Sequence, residues 1–146
     1  MFALTPILTY LGSIPFIICG ILLFMGEDTL PIIGPSYLGH IESIISFYGL
    51  VIVSFMAGTH WGIHINDSSK ISKILPITSN LVALIAWISH LVVSFKVFIF
   101  VISVFFVLML FIDKLLRDKG VISNEYFKLR FSVTIIVLFS LTLMVI

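Results

Sequence analysis

Charge and cysteine are both scarce in this chain of 146 residues. Only 10% of the residues are Asp, Glu, Lys or Arg, whereas about a quarter are charged in soluble globular proteins. The single cysteine, Cys19, excludes an internal disulfide and a metal cluster held by several cysteines. The formal net charge of +1 offers no basic field for a phosphate backbone, so we expect no nucleic acid partner.

The sequence motifs that would identify a common enzyme class are also missing. The chain contains no Walker phosphate loop, no HExxH, no GxSxG and no CxxC. It also shows no internal repeat of the kind that many secondary transporters carry. We therefore expect that the protein is not an enzyme, and we predict no catalytic residue and no cofactor.

What the chain has instead is a series of long uncharged apolar runs. Hydrophobic residues make up 60% of the sequence. As helices, the runs are long enough to cross a hydrocarbon core of about 30 Å. The sequence therefore predicts an all-α bundle of five transmembrane helices in one transmembrane domain, residues 1–146, with the lipid bilayer as its partner. The predicted spans are approximately 5–26, 43–65, 76–95, 97–116 and 129–146.

Three local signals refine these spans. A single helix from Pro76 to Ile112 would be about 55 Å long at about 1.5 Å per residue, so we expect a helical hairpin that turns at Lys96. Pro15 removes a helical hydrogen bond near Gly12, which predicts a kink in the first helix and a neighbouring helix that satisfies the freed carbonyl group. Gly120 is expected to end the fourth helix.

The distribution of basic residues predicts the orientation. In the five-span arrangement Lys96 falls on one side of the membrane, and the other Lys and Arg residues fall on the opposite side. By the positive-inside rule the N-terminus is inside and the C-terminus outside. The residues expected inside are Lys70, Lys73, Lys114, Arg117, Lys119, Lys128 and Arg130.

The second helix carries a face of small and polar residues that recur every three or four positions. Such a face usually turns to the interior of a membrane bundle. Gly58 and Gly62 form a small-xxx-small pair on a partly different face, which we assign to helix packing, with dimerisation or ligand approach as the alternatives. The residues of the first face are Ser46, Gly49, Val53, Ala57, His60 and His64.

The same helix holds the best candidates for a metal or cofactor site. His60 and His64 are one helical turn apart and Asp67 follows three residues later, so two imidazoles and a carboxylate could converge on a divalent metal. We favour a structural or interfacial role for these residues. The alternatives are a contact with a proton or a quinone head group, and ligation of a metal or haem. Trp61 is expected in the interfacial aromatic belt.

The remaining polar residues have ordinary explanations. Asn80 and His90 in the third helix are expected to form interhelical hydrogen bonds. Four residues that flank spans, Asp113, Lys114, Arg117 and Arg130, are expected to reach lipid head groups. Alternatively, Arg130 pairs with Asp113 across the connecting loop and locks the last two helices together. The full predicted packing or polar seam is Pro15, Ser46, Gly49, Gly58, His60, Trp61, Gly62, His64, Asn80, His90 and Arg130.

Several stretches resemble a known family. They are YLGSIPF at 10–16, Tyr48-Gly49, SFMAGTHWG at 54–62, and Tyr126 followed by Leu129-Arg130. They resemble an uncharacterised family of small multi-pass proteins of bacterial and mitochondrial inner membranes, which includes the animal transmembrane protein sixty-nine. The resemblance implies a location in the bacterial inner membrane, or in the mitochondrial inner membrane of a eukaryote, and implies no catalytic residues. At His60 relatives can carry Arg, which weighs against obligate metal ligation there.

Three hypotheses for the function follow. The first, which we favour, is a non-catalytic accessory or assembly component of an inner-membrane complex, with other inner-membrane proteins as partners. The second is a small carrier or permeation pathway with a polar cavity between the second and third helices. The third is a protein that binds haem, a metal or a quinone through His60 and His64. The expected lining of the pathway is Ser46, His60, His64, Asn80 and His90.

Overall fold

The computed structural model of the chain describes residues 4–30, 40–66 and 72–146. Within these residues the fold is helical and contains no strand, only an isolated bridge between Thr29 and His40. A helix pairs its own backbone groups, as a chain in hydrocarbon must. The helices are α1 (Leu4–Leu11), α2 (Ile14–Phe24), α3 (Ile41–Asn66), α4 (Leu75–Val92), α5 (Phe95–Asp118) and α6 (Asn124–Leu143), with a 3₁₀ turn at Ser72–Ile74 before α4.

Among the described residues, five helical segments are long and apolar enough to cross a membrane, with α1 and α2 together forming the first. This confirms the predicted multi-pass, all-α class. The last span begins at Asn124 rather than at residue 129, because Ser123 caps the helix: its side chain accepts a hydrogen bond of 3.1 Å from the backbone N–H of Tyr126. Polar residues in the first turn of α6 interrupt the apolar run, so the start of this helix was predicted too late in the sequence.

The first span is broken where Pro15 predicts a kink. α1 ends at Leu11 and α2 begins at Ile14, with Pro15 in the first turn of α2. The hydroxyl of Tyr48 on α3 donates a hydrogen bond of 2.8 Å to the carbonyl oxygen of Gly12. A neighbouring helix therefore satisfies a carbonyl group at the break, which is the arrangement that hydrocarbon requires.

The helical hairpin between α4 and α5 turns at Val93 and Ser94, which both have extended backbone. The turn comes slightly earlier than expected, and Lys96 lies in the first turn of α5. At the other end of α5, Gly120 has a φ of +72°, and its N–H donates to the carbonyl of Arg117 over 2.8 Å. This left-handed residue ends the helix, as glycine commonly does.

The core lies where α3 meets α2, α4 and α5, and where α6 packs on α2 and α5. Ser46, Val53, Ala57 and His60 are buried along one face of α3, and Gly49 is buried on the same face. His64, further along it, is half-buried.

Within the described part of the chain, Gly58 and Gly62 are not sites of close helix approach, and dimerisation through this pair stays a prediction. Gly58 and Gly62 are exposed, and a Cβ added at either would meet no heavy atom within 4 Å. Gly58 follows the buried Ala57 and lies about 100° further around the helix, and Gly62 follows the exposed Trp61. The close backbone approach occurs instead at Gly20, where a Cβ would lie 2.8 Å from the carbonyl oxygen of Ser140 on α6.

Candidate functional site

A group of ionisable side chains meets at one end of the bundle, which we call the basic end. Here α3 and α5 finish and α1 and α6 begin. Lysines at the adjoining helix ends are exposed at the basic end, as expected for contact with water and lipid head groups. They are Lys73, Lys114, Lys119 and Lys128.

Three of these ionisable residues form a buried unit, which we call the polar cluster: His60 on α3, Asp113 on α5 and Arg130 on α6. Nε2 of His60 lies 3.0 Å from Oδ1 of Asp113, and Nε of Arg130 lies 3.0 Å from Oδ2 of the same carboxylate. Relative exposure of the side chains is 1% for His60, 0% for Asp113 and 11% for Arg130. One carboxylate thus joins three helices.

The polar cluster satisfies the carboxylate fully but leaves the guanidinium short of acceptors. Each oxygen of Asp113 has a partner, Nε2 of His60 at Oδ1 and Nε of Arg130 at Oδ2. Arg130 uses Nε for its pair, while its Nη2 is buried with no hydrogen-bond partner among the described residues. A buried donor without an acceptor costs about 1–3 kcal/mol, and more when the group is charged.

A cavity of about 380 Å³ lies beside the polar cluster, with Arg130 in its wall. Its walls come mainly from α1, α3 and α6 and are largely apolar. Two large apolar side chains of the lining, Leu8 on α1 and Phe55 on α3, are 58% and 70% exposed on the lipid-facing surface. Part of the cavity wall therefore lies at the apolar outer surface of the bundle.

Hydroxyl groups accompany Arg130 in the cavity wall. Thr59 and Tyr126 line it, and so do Thr5, Thr9 and Thr134. The phenol of Tyr126 interacts with the Thr59 side chain and with the charges of Arg130 and Asp113. Thr59 itself donates a hydrogen bond of 2.7 Å to the carbonyl of Met56 within α3. The polar part of the cavity wall thus consists of Arg130 and these hydroxyl groups, and the rest of the wall is apolar.

A family model described as "Protein of unknown function (DUF3429)" matches residues 3–146. The chain belongs to the DUF3429 family. No curated protein and no solved structure matches it. The membership of this DUF3429 protein agrees with the expected uncharacterised family.

The structure separates the residues that were considered as metal ligands in this DUF3429 chain. His60 is bound to Asp113, while His64 is half-buried near the Trp61 ring, with centroids 6.4 Å apart. Asp67 lies outside the described residues. Across residues 4–30, 40–66 and 72–146, no three His, Cys, Asp or Glu side chains are placed to hold a metal ion.

The residues proposed to line a permeation pathway are also dispersed. His90 packs between the rings of Phe47 and Phe98, with centroid distances of 4.7 and 5.1 Å, far along the bundle from the polar cluster. Asn80 lies on the exposed surface of α4, because the buried face of that helix passes through its neighbour Ser79. The cavity lies against α1 and α6, not between the second and third spans as we expected.

The polar cluster contains two pairs, of which the sequence predicted Arg130 with Asp113 and did not predict His60 with Asp113. The pairing of Arg130 with Asp113, considered as an alternative to head-group contact, is the arrangement present. The partnership of His60 with Asp113 was missed, since the two residues are 53 positions apart on different helices. A signal was available: Asp113 continues an uncharged apolar run, and an ionisable residue within a span needs a partner.

Arg117, near the end of α5, stays at the surface. Its guanidinium pairs with Asp118 at 2.6 Å and lies over the Phe127 ring, 4.3 Å from the centroid. The contact with Phe127 joins the end of α5 to the start of α6.

Proposed function

We propose that this DUF3429 protein is a non-catalytic protein of an inner membrane that binds a small, largely apolar molecule taken from the lipid phase. The observation that supports the proposal is the cavity at the basic end, whose wall contains exposed apolar side chains and the guanidinium of Arg130.

The shape and the chemistry of the cavity both favour this function. Its volume of about 380 Å³ falls at the lower end of the range of roughly 300–1,000 Å³ that ligand pockets occupy. Such pockets combine an apolar wall with a few placed polar groups that orient the ligand. A ligand that enters beside Leu8 and Phe55 comes from hydrocarbon, so it does not have to cross water.

The proposal includes an orientation. We place the basic end inside and the C-terminus outside, because the exposed lysines of the helix ends gather at that end. A reporter fused after Lys119 should give an inside signal, and one fused after Ile146 an outside signal. The opposite pattern would contradict the orientation without affecting the binding proposal.

Binding can be tested on protein extracted in mild detergent, by mass spectrometry of the small molecules that stay bound. Thr9→Trp places a large ring in the cavity wall, so this variant should lose the bound molecule. Thr142→Trp is the matched control, because Thr142 lies exposed on α6 and makes the same kind of local hydrogen bond, of 2.8 Å, as Thr9. Equal content in wild type and Thr9→Trp would contradict the proposal.

An accessory role in a membrane complex is a second proposal. Its support is the lipid-facing surface of α3 at Gly58, where a Cβ would meet nothing within 4 Å, since small exposed residues let a helix of another protein approach closely. Gly58→Leu should then release co-purifying proteins and leave the stability of the chain unchanged. Unchanged co-purification would contradict this role. We also propose kinship with transmembrane protein sixty-nine, on the stretches at 10–16 and 54–62.

A further inference from the structure

We propose that the cavity recognises a neutral carbonyl group carried on a ring, the chemistry of a membrane quinone, and that the guanidinium of Arg130 donates to that carbonyl. This inference rests on the proposed function and adds the class of ligand. It concerns binding alone and involves no electron transfer.

The guanidinium of Arg130 carries more donors than its pair with Asp113 uses. A guanidinium has five N–H donors, and Asp113 takes the one on Nε of Arg130. Arg130 lines the cavity, and the other polar side chains of the wall carry hydroxyl groups. A carbonyl oxygen that reaches the guanidinium from the cavity would give it a second acceptor.

Asp113 already serves as the counter-ion of Arg130 in a buried pair, and the remaining polar residues of the cavity wall carry hydroxyl groups. A carboxylate ligand would therefore bring an uncompensated negative charge into hydrocarbon, which is costly. A carbonyl oxygen brings no net charge into the hydrocarbon. The charge balance favours a neutral acceptor over a fatty acid.

The aromatic side chains of the cavity wall favour a ligand that contains a ring. Phe16, Phe55, Phe106 and Tyr126 all line the cavity. Phe16 and Phe106 already meet edge to face, with centroids 5.8 Å apart. Aromatic walls favour a planar ring through offset or edge-to-face contacts. The volume suits a single ring, and an isoprenoid tail would leave the cavity beside Leu8 and Phe55 into lipid.

The test uses the full chain in lipid nanodiscs and three probes. They are a benzoquinone with one isoprene unit, ethyl decanoate as a neutral carbonyl without a ring, and decanoate as an anion. Binding is the amount retained by protein-containing nanodiscs in excess of empty nanodiscs. We expect the quinone to bind most tightly. Tighter binding of decanoate, or equal binding of ethyl decanoate and the quinone, would overturn the inference.

Variants then show which residues of the cavity bind the quinone probe. Arg130→Lys keeps a cation beside Asp113 but loses the planar guanidinium donors, so it should weaken quinone binding about tenfold, the equivalent of one good hydrogen bond to a charged donor. Tyr126→Phe keeps all three side chains of the polar cluster and should weaken binding less. Thr9→Trp should abolish binding and Thr142→Trp should not change it. Wild-type affinity in both Arg130→Lys and Thr9→Trp would overturn the assignment of the site.

The outcomes separate this inference from the proposed function. If Thr9→Trp loses a native bound molecule but none of the three probes binds wild type, the cavity is a binding site and the quinone assignment is wrong. If Thr9→Trp and wild type carry the same molecules, the proposed function fails as well.

Discussion

The helices pack in different ways at the two ends of the bundle. At the end opposite the basic end, α2 and α6 approach so closely that Gly20 leaves no room for a Cβ beside Ser140. At the basic end, α1 contributes no buried residue, and a cavity of about 380 Å³ lies against it. The break between Leu11 and Ile14 separates a loosely packed half of the first span from a tightly packed half.

The comparison shows where stability and function are expected to lie. Without a hydrophobic force between helices in lipid, close backbone packing and interhelical hydrogen bonds hold a membrane bundle together. The end opposite the basic end uses close backbone packing, at Gly20. The basic end uses interhelical hydrogen bonds, through one carboxylate shared by His60 and Arg130. These bonds hold the helices together while the space beside them stays open.

The largest effect is expected from Asp113→Asn, which leaves Arg130 charged and buried without its counter-ion. Breaking a buried pair in this way should lower the free energy of unfolding by about 3–5 kcal/mol. The matched control is Asp118→Asn, since Asp118 pairs with Arg117 at the surface with its side chain 50% exposed; its effect should be about 0–1 kcal/mol. Denaturant titration in detergent measures both. Similar losses for the two variants would contradict the distinction.

A smaller effect is expected from Gly20→Ala at the opposite end. The added methyl group would lie 2.8 Å from the carbonyl oxygen of Ser140, against backbone that cannot move aside as a side chain could. Overpacking of this kind costs about 1–3 kcal/mol. Gly58→Ala is the control, because the same methyl group meets nothing within 4 Å there. Thermal unfolding of the two variants should rank Gly20→Ala clearly lower, and a reversed order would show that the close contact is not limiting.

The smallest effect is expected at the break in the first span. Tyr48→Phe removes the donor to the carbonyl of Gly12 but keeps the ring beside Phe16, whose centroid is 5.2 Å away. The loss should be about 1 kcal/mol, typical of one hydrogen bond. Tyr10→Phe changes an exposed tyrosine and should be neutral. Equal stability of both variants and wild type would mean that the break needs no donor from α3.

The sequence allowed the spans to be predicted well, because the charges lie in the gaps and local signals mark the helix ends. Pro15 marked the break, Gly120 marked the end of α5, and a periodic small and polar pattern marked the buried face of α3. These features depend on residues close together in the chain, whose geometry follows from helix periodicity.

Features that depend on how separate helices are placed could not be predicted from the sequence in the same way. The small-xxx-small pattern of Gly58 and Gly62 looked like a packing site, yet the contact lies at Gly20, since the rotation of each helix decides which glycine meets a neighbour. His60 looked like a partner for His64, one turn away, but binds Asp113 on α5. The cavity was not foreseen because it depends on how loosely α1 packs.

A double-mutant cycle on the polar cluster tests the central claim most directly, namely that Asp113 and Arg130 form one buried pair. The free energies of unfolding of Asp113→Asn, Arg130→Met and the double variant are compared with that of wild type. Because the double variant leaves no unpaired charge, it should be less destabilised than the sum of the two single variants, by about 1 kcal/mol or more. Additive losses would contradict the account.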